Sequence, residues 1–186
     1  FLGSLRGALV VALILPLAGL ITFILMRASD VSANLMSLGG LAIAIGMIVD
    51  AAVVVVENIE ARFTWSGPLD AHGRAALIGE AVGEVAMPVA SGIAIIAIVF
   101  LPLLTLEGLE GKLFSPVALA IVFALGASLV LALTAVPTAA SFLLVPGGEH
   151  DPWLVRQLHR LYAPVLAFAL RRPWIVGGVA AALLVA

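Results

Sequence analysis

Polar residues interrupt this chain at intervals that leave four apolar runs, about residues 5–26, 36–57, 85–106 and 117–144. At about 1.5 Å of rise per residue, each run is long enough as a helix to cross the roughly 30 Å hydrocarbon core of a bilayer. The pattern predicts an all-α membrane protein, a polytopic bundle of transmembrane helices. The connections carry their own signals. Arg27 to Asn34 (RASDVSAN) reads as a short turn, with Asp30 or Ser32 to cap the helix that follows. Phe63 to Glu84 starts with the turn signal Ser66-Gly67-Pro68 and continues as a short, weakly amphipathic helix capped by Asp70, with Glu80 and Glu84 on its solvated side. Leu106 to Pro116 (LEGLEGKLFSP) reads as a Gly-rich turn at the membrane face.

Beyond the fourth run the pattern changes. Val145 to Asp151 (VPGGEHD) breaks the structure, and residues 145–171 are expected to form a linker and an amphipathic helix lying in the membrane interface. Leu154, Leu158, Leu161, Val165 and Phe168 recur at spacings of three and four, opposite Arg156, His159 and Arg160, with Trp153 and Tyr162 as interfacial anchors. Residues 172–186 start a further span. With four spans, the connections alternate between the two sides of the membrane. Arg6, Arg62, Arg74, Arg156, Arg160, Arg171 and Arg172 then share one side, and Arg27 and Lys112 share the other. This asymmetry assigns the first set to the cytoplasm.

Composition agrees. The chain is 63% hydrophobic and 11% charged, where a soluble domain is about half apolar and a quarter charged. Its net charge of −2 gives nucleic-acid binding no electrostatic support. The absence of cysteine removes disulfides and thiolate metal sites. Phe1 is not an initiator methionine, and Ala186 falls inside an apolar run, so the chain reads as part of a longer polypeptide.

One residue breaks the apolar pattern from within. Asp50 sits in the second run, SLGGLAIAIGMIVDAAVVVVEN, as the single interior charge. A carboxylate at that depth costs roughly 2.5–3.5 kcal/mol on insertion scales. It persists where it faces protein or water, pairs with a cation or takes up a proton. Gly39, Ala42, Gly46 and Asp50 share one helical face, and Gly40, Ala44, Met47 and Ala51 form a neighbouring stripe. Small residues admit close helix approach, so Asp50 is expected to face a protein neighbour. Its chemistry is that of a proton-titrating carboxylate in a transporter; a structural Asp bonded to an adjacent helix is the alternative. Glu57, two turns further on the same face, is a candidate second proton carrier or a marker of the helix end.

The run GLAIAIGMIVDAAVVVVEN, followed by Arg62, resembles the fourth transmembrane helix of resistance–nodulation–division (RND) efflux pumps. Asp50-Ala51-Ala52 looks like the heavy-metal branch, where drug exporters usually carry adjacent aspartates. The string Leu106-Glu107-Gly108 through Pro116 is similar to the link between the fifth and sixth helices of that branch.

The resemblance implies the piece from the end of the second to the start of the seventh transmembrane helix of a proton-driven antiporter. That pump would export heavy-metal cations, copper or silver favoured, across the bacterial inner membrane. Asp50 would be the proton-relay carboxylate, with a lysine outside these residues as its cationic partner. A homotrimer with a periplasmic adaptor and an outer-membrane channel is implied as well, with no cofactor. Met36 and Met47, on the Asp50 helix, are candidate thioether ligands along a metal route, although methionines are also ordinary packing residues. Two other functions compete: an RND exporter of organic molecules, and an intramembrane aspartyl protease, which needs a second buried aspartate.

Overall fold

A computed structural model describes residues 5–66, 70–144, 157, 160, 162, 164, 166–167 and 169–185. Helix is the one kind of regular structure among them: α1 (Leu5–Ala28), α2 (Leu35–Trp65), α3 (Ala71–Phe100) with a 3-10 turn over Leu101–Thr105, α4 (Gly108–Leu143) and α5 (Pro173–Val185). The first four are long and apolar enough to cross a membrane. The chain divides into two compact units near residue 148, with α1 to α4 in the first and α5 in the second. Most of the expected interfacial helix over 145–171, including Trp153, Arg156 and His159, lies outside the described residues. Those of that stretch that are described from 157 to 171 are helical.

Local chemistry sets the helix ends, and three of them differ from expectation. The cap of α2 is Asn34, not Asp30 or Ser32. Asn34 Oδ1 accepts from the Ser37 N–H at 2.9 Å while Ser37 Oγ accepts from the Asn34 N–H at 3.0 Å, a reciprocal capping box. Asp30 is instead left-handed (φ 54°), in the turn that closes α1.

Asp70 does cap a helix, accepting from the Gly73 N–H at 2.8 Å. That helix does not end before the next span but runs on through it as α3. Continuing the helix pairs the backbone N–H and C=O groups along the apolar run, apart from the bond that Pro88 cannot make. The Gly-rich link after it shrinks for the same reason: α4 is already helical from Gly108. A Cβ on Gly111 would lie 2.1 Å from the Leu106 carbonyl oxygen, so only glycine lets the 3-10 turn fold so tightly onto the start of α4.

α2 is the central helix. It packs along α4, α1 lies against both, and α3 lies against α2 and α4. Ala44, Ile48, Ala52, Val55 and Ile59 line the inner side of α2 and are wholly buried. They meet a core that includes Val10, Ile14 and Ala18 of α1 and Ile121, Ala124 and Val136 of α4. A Cβ on Gly40 would lie 2.6 Å from the Val117 carbonyl oxygen, so glycine at this position permits a close approach of α2 and α4. The outer side of α3 presents Met87, Ile95, Ile98 and Val99, an apolar surface suited to lipid.

Candidate proton-relay site

The two small-residue stripes of α2 go separate ways. Gly40, Ala44 and Ala51 are buried against the bundle, while Gly39, Ala42, Gly46 and Asp50 are exposed. At about 100° per residue, Asp50 lies roughly 200° round the helix from Ile48, opposite the packed side. A Cβ on Gly39 or Gly46 would meet nothing within 4 Å. The acid therefore stands on an open face, in a shallow trough of small residues. It has no hydrogen-bond or ion-pair partner among the described residues.

Glu57 is exposed on the same face, about 10 Å further along the axis. Met47 is half-buried and Met36 is exposed. Their eleven-residue separation is about 16 Å along the helix, too far for both to bind one ion. Among the described residues no group of three or more His, Cys, Asp or Glu could hold a metal.

Behind the acid, the backbone is gripped. Ser128 Oγ of α4 donates to the Ile48 carbonyl oxygen at 2.7 Å, with both residues fully buried. This contact pairs residues eighty apart in the chain, and a lone serine in an apolar run gives no sign of it in the sequence.

At the far end of α2 a polar clamp forms. Asn58 Nδ2 donates to the Ala81 carbonyl at 2.7 Å and to Glu84 Oε2 at 3.3 Å. Arg62 pairs with Glu84. Glu84 is thus not simply on a solvated face: although half-exposed, it ties α3 to α2. Asn58 and Arg62, four apart on one helical face, both reach Glu84. Arg74, near the start of α3, donates through Nη2 to the carbonyls of Ser141 and Leu144 at 2.8 and 2.6 Å. A cation there satisfies the open end of α4 and complements its dipole.

Comparison with known proteins agrees with this architecture. The AcrB/AcrD/AcrF family model matches residues 1–186. The chain is 44% identical to protein HelA of Legionella pneumophila over 97% of its length. It is 40% identical to the cobalt-zinc-cadmium resistance protein CzcA of Cupriavidus metallidurans over 95%, and 38% identical to the cation efflux system protein CusA of Escherichia coli over 93%. It spans 18%, 17% and 17% of those three proteins. Members of this family are transporters rather than enzymes, which removes the aspartyl-protease alternative. The chain belongs to the AcrB/AcrD/AcrF family of resistance–nodulation–division efflux transporters, within its heavy-metal branch.

Proposed function

We propose that this chain is transmembrane machinery of a proton-driven antiporter that exports heavy-metal cations, copper(I) or silver(I) favoured, across the inner membrane of a Gram-negative cell. The observation that carries the reading is Asp50: a carboxylate at mid-span, on a face of α2 that the described helices leave open. Left against lipid, a charge there costs roughly 2.5–3.5 kcal/mol. A trough of small residues invites a further helix of the same pump, bearing a cation, to close over it.

Protonation of Asp50 from outside would cancel its attraction for that cation, and deprotonation towards the cytoplasm would restore it. Each protonation state then favours a different helix arrangement, which is how a proton gradient does mechanical work. Glu57 extends the path towards the cytoplasmic side, and Met36 and Met47 are separate stepping points for a soft cation rather than one site. The working unit is a homotrimer joined to a periplasmic adaptor and an outer-membrane channel.

The preference for copper or silver rests on Asp50-Ala51-Ala52, since the chain is about equally similar to CusA and CzcA. In the full-length transporter, Asp50→Asn and Asp50→Ala should abolish metal resistance while folded protein stays in the membrane. Resistance at the wild-type level in either variant would overturn the relay. Testing resistance to silver, copper, cobalt and zinc side by side decides the cargo.

A further inference from the structure

Hydroxyl side chains within the spanning helices bond back to their own helix: Thr22 to the Ala18 carbonyl, Thr134 to Val130, Thr138 to Thr134 and Ser141 to Thr138. Ser128 is the exception. Among the described residues it is the one hydroxyl that donates to a carbonyl of another helix, and it does so two residues from Asp50.

We infer that Ser128 is a positioning residue for Asp50: it pins α4 to the back of the turn that carries the acid, and so passes the movement of α2 to α4. The inference rests on Asp50 as a proton carrier. The geometry suits the task. The pin and the acid lie on opposite sides of α2, so a pull on the acid works directly against the pin. The Ile48 carbonyl has two lone pairs and accepts from Ser128 without leaving the helix ladder. A serine in a helix can also donate to the carbonyl one turn back, which for Ser128 is that of Ala124. The hydroxyl can therefore change partners without standing unsatisfied in an apolar interior, which gives the contact two discrete arrangements.

Of the charged groups on the helices packed against α2, Arg6 and Arg27 lie at the ends of α1, His72 and Arg74 in the first turn of α3, and Glu110 and Lys112 near the start of α4, while Glu80 and Glu84 lie further along α3, Glu84 at the level of Asn58 and Arg62. On α2 itself, Glu57 is two turns away, with Glu60 and Arg62 beyond it.

If the pin holds better in one protonation state than in the other, removing it must move the titration of Asp50. The test is infrared titration of the full-length transporter in liposomes, following the protonated-carboxyl band that Asp50→Asn abolishes. Ser128→Ala removes the donor; Ser128→Cys keeps the volume with a far weaker donor. Both should shift the midpoint by roughly 0.5–1 pH unit, the size of one hydrogen bond. An unchanged midpoint in both, or a wild-type midpoint in Ser128→Cys alone, overturns the pin, the latter by making it a matter of packing. Should the wild type lack any titrating band that Asp50→Asn removes, the proton-carrier reading itself fails.

Discussion

The two sides of α2 are built from the same small residues and do opposite things. One side, with Gly40, Ala44 and Ala51, is closed: a single added methyl at Gly40 would strike the backbone of α4. The other, with Gly39, Ala42, Gly46 and Asp50, is open, and an added methyl there meets nothing within 4 Å. Small residues in a membrane helix therefore mark where a neighbour comes close, without saying whether that neighbour is at hand. The closed side makes the bundle; the open side holds the mid-span carboxylate Asp50.

Several substitutions would break or sharpen that contrast. Asp50→Asn has the largest expected effect, a fall of transport by the full-length pump to background with normal protein level on an immunoblot, because the residue contributes no hydrogen bond or ion pair within the described bundle. Gly40→Ala comes next. Its methyl meets backbone, so the bundle must shift at a cost of about 1–3 kcal/mol, visible as a lower thermal midpoint of the purified transporter. Gly46→Ala should leave that midpoint closer to wild type and lower transport instead, by crowding whatever covers the open side. An equal loss of stability in the two glycine variants would erase the distinction.

Glu84→Gln weakens the clamp with Arg62. The pair is half-exposed, so its worth is at most about 1 kcal/mol, measured by a double-mutant cycle with Arg62→Gln. Thr134→Val is the smallest change. Its hydroxyl bonds within α4, and the stability should stay within about 0.5 kcal/mol of wild type.

Much of this was legible in the residues. Long apolar runs specify the helices, because in a bilayer the chain has few other ways to pair its backbone. The mid-span acid stands out against them for the same reason. The ends of the helices were harder. The polar lead-in 71–84 reads as a short separate helix and 108–116 as a turn, yet each is continuous with the long apolar helix that follows. Asn34 lost out as a cap to Asp30 and Ser32 because the reciprocal partner, Ser37, looks like any polar residue until the turn is built. Nor could the pattern decide which small-residue stripe closes, since both are equally slim. The bonds from Ser128, Arg74 and Asn58 join residues far apart in sequence, and local periodicity carries no trace of them.

α2 contains 31 residues, which makes it about 46 Å long and therefore half as long again as the oily layer it crosses. Ile48 sits roughly 25 Å from its last turn. A rod hinged at that level is a lever, and a tilt of about 10° too slight to disturb the middle of the bundle would sweep its wet tip through about 4 Å. On the relay proposed for Asp50, the arm that carries the switch would also be the pointer that reports it.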